Sequence, residues 1–214
     1  MRTKKSRLIA VDGQAASGKG TLARRIADHY DFAYLDTGLL YRAIGYTVIK
    51  GHGDINNPTH ALKAAAELDP TELNNPELRS ETVGEAASII ATSSEVREAL
   101  LKFQKFFAYN PPNGKMGSIL DGRDIGTVVC SDADRKIFVQ ADISIRAIRR
   151  YKELRSRGLN AIHARVLQEL KDRDARDVSR ETSPLIPAKD AFILDTTFLD
   201  PERVFIAALK YVLF

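Results

Sequence analysis

The sequence predicts an α/β fold with a parallel sheet of about five strands and helices on both faces, and three observations carry it. A short apolar run, Leu8-Ile9-Ala10-Val11, passes into the turn Gly13-Gln14-Ala15-Ala16-Ser17-Gly18-Lys19-Gly20-Thr21 and then into a helical pattern. Strand, glycine-rich loop and helix in that order aim backbone N–H groups at one point, beside the positive end of the helix dipole. Further short apolar runs alternate with helical stretches, which argues for parallel pairing. Two long stretches, one helical and one rich in arginine, interrupt that alternation and read as inserts over one core.

The elements follow in order. The first helix runs from Lys19 to about Tyr30, and Phe32 to Leu35 is a second strand. Thr37 can cap the next helix, which carries Leu40, Ile44 and Val48 and stops at Gly51 to Gly53. Residues 56–109 are mostly helical by pattern, punctuated by Asn56-Asn57-Pro58 and Asn74-Asn75-Pro76, and Pro111-Pro112-Asn113-Gly114 closes them. Ser118 to Leu120 and Lys136 to Val139 are strands again. Two charged helices broken at Gly158 fill Asp142 to Arg176. Ser183-Pro184 and Pro187 form a loop, Ala191 to Leu194 a last strand, and Pro201 opens a terminal helix behind Asp200.

Composition narrows the function. The chain has 214 residues, 44% hydrophobic and 28% charged, which suits one domain with a sizeable core. No apolar run is long enough for a signal peptide or a membrane span, and a cytoplasmic chain is expected. A single cysteine, Cys130, allows no internal disulfide and fits a reducing compartment. The net charge is only +4, yet the stretch from Arg146 to Arg180 holds nine arginines and two lysines against five acidic residues. Its surplus of six exceeds that of the whole chain, and phosphate is the expected partner. Without an anionic ligand, those arginines are expected to repel one another. His29, His52, His60 and His163 have no metal-ligand spacing and read as surface or helix-end residues.

The loop from Gly13 to Thr21 is an ATP-binding candidate throughout, with Lys19 a point charge for the β- and γ-phosphates. It departs from the general motif where Gly20 follows the lysine, so that the hydroxyl comes one residue later, at Thr21. The guanine-reading Asn-Lys-x-Asp pattern is absent, which argues against a GTPase. The Gly-Lys-Gly-Thr ending resembles nucleoside monophosphate kinases. Leu35-Asp36-Thr37-Gly38-Leu39-Leu40-Tyr41-Arg42 and Leu120-Asp121-Gly122-Arg123-Asp124-Ile125-Gly126-Thr127-Val128-Val129 both resemble the bacterial cytidylate kinase family. So do Ala87-Ser88, Val96-Arg97-Glu98-Ala99-Leu100-Leu101 and Arg173-Asp174-Ala175-Arg176-Asp177.

That resemblance implies ATP- and Mg²⁺-dependent phosphoryl transfer to CMP and dCMP, and it assigns roles. Arg42 and Arg123 match arginines on the acceptor phosphate, which a guanidinium can hold bidentately. Thr37 and Tyr41 lie beside them in the acceptor motif. Ser88, Arg97 and Asp124 match residues on the cytosine ring, whose amino donor and ring acceptors suit a carboxylate and an arginine. Arg173 and Asp177 match contacts to the pentose, and Arg180 a contact near the phosphates. Lys19, Arg42, Arg123 and Arg180 are thus the expected catalytic residues. Asp121 and Thr21 are the expected Mg²⁺ holders, through water. The short stretch Glu67 to Glu81 lacks the β-rich insert of the longer family members.

The expected architecture is therefore a P-loop NTPase core of residues 1–36, 113–150 and 185–214. It carries a helical monophosphate-binding insert at 37–112 and an arginine-rich lid at 151–184. The expected partners are ATP and CMP or dCMP for a monomer, with no membrane and no nucleic-acid polymer. Two alternatives stay open: a kinase of another small acceptor such as UMP, and a non-enzymatic nucleotide- or RNA-binding protein using the basic stretch.

Overall fold

The computed structural model describes residues 7–213. Its strands are β1 (Arg7–Gly13), β2 (Ala33–Asp36), β3 (Gly117–Gly122), β4 (Arg135–Gln140) and β5 (Phe192–Asp195). They form one sheet in the order β2-β3-β1-β4-β5. β1 pairs in parallel with β3 and β4, and β4 with β5, with Val11 opposite both Asp121 and Ile137. β1 is buried from Leu8 to Gly13 and β3 along its whole length, as strands covered on both faces must be. From β1 the chain first builds one side of the sheet and then the other. The order therefore reverses at β1, and the crevice of such a sheet opens at the carboxyl ends of the strands around that point. Gly13, Gly122 and Gln140 end the three central strands there.

The chain divides into two compact units, residues 7–35 with 108–213, and Asp36–Phe107. The sheet unit also holds α1 (Lys19–Tyr30), α6 (Ile143–Ser156), α7 (His163–Ser179) and α8 (Pro201–Val212). Ile9, Val11, Ile119, Ile137 and Val139 of the strands pack with Leu22 and Ile26 of α1 and Val204, Ala208 and Val212 of α8. A second cluster joins Ala147 and Leu154 of α6 to Val166 and Leu170 of α7 and to Ala15. Asp142 caps α6 by accepting the Ser144 N–H (2.8 Å), and Asp200 caps α8 by accepting that of Arg203 (2.8 Å). Gly158 has φ +76° just past the end of α6, which is why the two charged helices separate there.

The other unit is helical: α2 (Thr37–Lys50), α3 (Pro58–Ala66), α4 (Glu81–Ile90) and α5 (Ser94–Tyr109), the last ending just past its boundary. Leu40, Ile44 and Val48 meet Ala61, Ala64, Ala87, Ile90, Val96 and Leu100. Residues 67–81 hold two single 3₁₀ turns, Pro70–Asn74 and Pro76–Arg79, and no strand. Thr37 is not the cap of α2. Asp36 is, its carboxylate accepting the Gly38 N–H at 3.1 Å, and Thr37 is the first helical residue. Both are good capping types; the carboxylate two residues before the N–H has the better reach.

One element has no counterpart in the sequence reading. Ile125–Val129 forms a single π-helical turn two residues after β3.

Candidate active site

The phosphate loop leaves the carboxyl end of β1 through Gly13, whose φ is +151°. A Cβ there would lie 2.1 Å from the Val139 carbonyl oxygen, so only glycine lets β1 and β4 approach this closely. Ala16 (φ +58°) and Gly18 (φ +91°) are left-handed, which turns successive peptide groups in the loop. The loop's carbonyls are held by side chains from elsewhere in the unit. Arg146 donates to that of Ala15 (3.3 Å), and Thr196 (3.0 Å) and Arg149 (3.5 Å) donate to that of Ser17. α1 then begins at Gly18 with no side-chain cap, leaving first-turn N–H groups for an anion. The Ser17 hydroxyl is buried here with no partner among the described residues.

Lys19 reaches Asp121 at the end of β3 with 2.9 Å between ammonium and carboxylate. Asp121 is 1% exposed and also accepts from the Tyr34 hydroxyl (3.1 Å). A Cβ on residue 20 would lie 2.9 Å from the other Asp121 oxygen. The glycine after the lysine thus makes room for this carboxylate, and the Thr21 hydroxyl-bearing side chain lies on the exposed side of α1. A buried carboxylate beside phosphate-binding N–H groups fits Mg²⁺, which is commonly held by one or two carboxylates, phosphate oxygens and water. Among the described residues, no cluster of three or more His, Cys, Asp or Glu could hold a metal alone.

Just past the end of β3, Arg123 converges with Arg180 on Asp177. The Arg123 Nε lies 2.8 Å from one Asp177 oxygen, and Arg180 pairs with the other. Asp177 is buried on α7, and Arg173 lies one turn earlier on the same helix face. The structure thus brings together three of the residues singled out in the sequence. It also corrects the expectation of mutually repelling arginines. Arg146 makes a bidentate pair with Asp174 (2.7 and 3.1 Å), Arg150 pairs with Glu153 and Arg165 with Glu169. Acidic residues three or four places along the helices, or on the facing helix, neutralise much of the surplus that a count along the chain records.

Asp124 follows Arg123 and precedes the π turn, and it is buried. The turn's first two N–H groups, of Ile125 (2.8 Å) and Gly126 (2.7 Å), are taken by the carboxylate of Asp12. Burial pushes the Asp12 carboxyl up to about 7, the two N–H bonds working the other way. Asp12 escaped the sequence reading, which used it only as the end of an apolar run. The signal was a charged residue inside a strand buried on both faces.

The helical unit carries its own set. Arg42 on α2 donates to the carbonyls of Leu78 (2.7 Å) and Ser80 (3.1 Å). A Cβ at residue 84 would meet its guanidinium at 2.7 Å, so Gly84, also missed in the sequence, leaves space for it. Arg97 on α5 is buried, donates to the Ala91 carbonyl (3.1 Å) and lies 5.6 Å over the Tyr41 ring. Thr37, Tyr41 and Ser88 are buried in this unit. His60 accepts the Asp54 N–H, and His29 and His163 make ring contacts.

A family model described as cytidylate kinase matches residues 9–213. A cytidylate kinase of Rhodospirillum rubrum is 52% identical over 202 residues, covering 94% of this chain and 95% of the relative. One of Paramagnetospirillum magneticum is 50% identical over 207 residues, covering 97% and 98%. Among solved structures, an uncharacterised protein from Eubacterium ventriosum aligns with a TM-score of 0.52 at 14% identity, over 96% of this chain and 98% of the other. A sugar kinase from a Janibacter species aligns at 0.50 and 15%, over 97% and 94%. The two structures support the fold alone. The family model and the near-full-length relatives go further, for they match the chain through the phosphate loop, the Asp121–Val129 run and the arginines of α7: the chain belongs to the cytidylate kinase family.

Proposed function

We propose that the chain transfers the γ-phosphoryl group of ATP to CMP or dCMP, giving ADP and CDP or dCDP, with the sequence-assigned residues in their expected roles. The observation that carries this reading is the phosphate loop. Its carbonyls are tied back, its helix is uncapped, and its lysine is held at a buried carboxylate. The α- and β-phosphates would accept the loop's N–H groups, and Lys19 would exchange Asp121 for the β- and γ-oxygens. Asp121 and Thr21 would hold Mg²⁺ through water, and the ion when bound draws charge from the β- and γ-oxygens. Arg42 and Arg123 would hold the acceptor phosphate in line, with Thr37 and Tyr41 beside it. Ser88, Arg97 and Asp124 would read cytosine, Arg173 and Asp177 the pentose. Arg180 would stabilise charge on the transferred group. In-line transfer needs positioning and charge neutralisation and no covalent intermediate.

Residues 37–112 then form the monophosphate-binding insert and 151–184 the lid over the core. No described helix is long and apolar enough to cross a membrane, and the free Cys130 is buried. The proposal includes a cytoplasmic monomer acting on small molecules.

The reading is tested with an acceptor panel, ATP and Mg²⁺. UMP presents a carbonyl where cytosine has its amino donor, and this would face the Asp124 carboxylate with no proton between them. CMP and dCMP are expected to exceed UMP by at least about tenfold in kcat/KM, since a buried polar group left unpaired costs on the order of 1–3 kcal/mol. Equal use of UMP would overturn the assignment, and salt-sensitive RNA binding without turnover would favour a binding protein.

A further inference from the structure

Among the described residues, five aspartates stand at N-cap positions, and four of them behave alike. Asp36, Asp69, Asp142 and Asp200 each accept an N–H from the first turn of the helix they begin, at Gly38, Thr71, Ser144 and Arg203. This is the ordinary use of an aspartate at that position. Asp124 opens the turn Ile125–Val129, and its side chain makes no such bond. Its backbone is otherwise engaged as a cap's should be, the carbonyl accepting from Val128 (2.9 Å) and Val129 (3.1 Å).

The turn's first two N–H groups go instead to a residue 113 and 114 positions earlier. Asp12, 5% exposed at the end of β1, takes Ile125 with one carboxylate oxygen and Gly126 with the other. The Gly126 N–H is the equivalent of the group that Asp36, Asp69 and Asp142 take from their own helices. A Cβ on Gly126 would lie 3.4 Å from the Asp12 oxygen and 3.2 Å from the Lys136 stem, so the glycine lets the turn sit close against β1. Both oxygens of Asp12 are thereby used on a turn to which Asp12 is not local, while the Asp124 carboxylate makes no cap bond to it.

We propose that Asp12 is a positioning residue for base selection: by capping the 125–129 turn in place of Asp124, it keeps the Asp124 carboxylate directed at the acceptor base. This rests on the reading that Asp124 recognises cytosine. With Asp12 removed, the Ile125 and Gly126 N–H groups lose their acceptor in a buried place, and the Asp124 side chain, at the cap position of that turn, can replace it. Asp124 would then fold back onto its own turn, as the other four aspartates do, and withdraw from the base.

The experiment compares kcat/KM for CMP and UMP in wild type, Asp12→Asn, Asp124→Ala and the double variant, with thermal melting as a check on folding. Asparagine keeps the shape of Asp12 and can accept one N–H but presents a donor to the other. Asp12→Asn is expected to lower the CMP-to-UMP ratio about tenfold, the worth of one polar contact to the base, while KM for ATP moves less than about threefold. In the Asp124→Ala background, the same substitution should leave the ratio where it is, because the residue through which Asp12 acts is gone. A general loss of structure would instead lower turnover with both acceptors and leave the ratio intact. If Asp124→Ala lowers the ratio but folded Asp12→Asn does not, or if the two effects add in the double variant, the proposal is overturned alone. If Asp124→Ala keeps the wild-type ratio, the base reading falls and the proposal with it. Should Asp12→Asn fail to fold, Asp12→Ser, smaller and able to accept one N–H, carries the same comparison.

Discussion

The phosphate loop and the helix pair α6–α7 both gather positive charge, and they hold it by different means. In the loop, the positive field comes from peptide groups whose orientation is set by Gly13, Ala16 and Gly18, with one lysine added. In the helices it comes from arginine side chains, many of which meet carboxylates within the same helix pair. Arg146 shows how far this goes. It is 2% exposed, grips Asp174 with two nitrogens, and donates to the carbonyls of Ala141 and Ala15. Its charge holds α6, α7 and the back of the phosphate loop together. A backbone device is written into local spacing, while the use of a side-chain charge depends on what the fold brings opposite it.

The largest effect should separate the two regions at once. Lys19→Ala is expected to lower kcat/KM by roughly a thousandfold, as loss of a charge from a preorganised phosphate site does. A coupled ADP-release assay measures it, with circular dichroism confirming the fold. Near wild-type turnover would mean that the loop does not carry the transferred phosphate.

Arg146→Ala should act on the other side of the comparison, through stability. Breaking a buried pair leaves the partner charge without its counterion and costs about 3–5 kcal/mol; the partial exposure of Asp174 places the expectation near the lower figure. Urea denaturation measures it. A loss under about 1 kcal/mol would show that the α6–α7 arginines are not scaffold and would erase the distinction.

Between these in kind is the connection from α6 to α7. The helices stop at Ser156 and resume at His163, and the residues between are exposed or half-buried. Trypsin should therefore cut the ligand-free protein first after Arg155 or Arg157, rather than at the helical Arg173 or the paired Arg180. ADP with CMP should slow that cut if 151–184 closes over the nucleotides. A cut unaffected by saturating ligands would sink the lid assignment.

Much of the architecture was legible in the sequence, for reasons that also mark the limit. β1, β4, α1 and α8 announce themselves through short apolar runs, a helical period and a proline behind a capping aspartate. All of these are local features. The cap of α2 slipped by one residue because Asp36 and Thr37 are both good caps side by side, and only geometry chooses. The turn at Ile125–Val129 was invisible because its N–H groups are satisfied by Asp12, far away in sequence and adjacent only across the β1–β3 pairing. Gly84 was missed for the same reason, since the guanidinium it accommodates comes from another helix. The candidate residues were legible as a set through the family's motifs. Their present partners were not, because pairs such as Arg123–Asp177 join residues that no motif places side by side.

The smallest expected effect is the sharpest control. Arg165 pairs with Glu169 one turn along α7, and its side chain is 80% exposed. A surface pair of this spacing contributes only about 0.3–0.5 kcal/mol, because water screens it and two long side chains lose freedom to form it. Arg165 is as cationic as Arg146 and lies in the same charged stretch, so a count along the chain treats the two alike. Arg165→Ala is expected to leave melting, turnover and tryptic protection within error of wild type, at physiological salt and below it. If it lowered turnover tenfold, and the loss vanished at high salt, the exposed face of α7 would be supplying long-range field to the phosphates. Charge would then act through its sum over the stretch, and the contrast between a backbone-built site and a side-chain scaffold would fail.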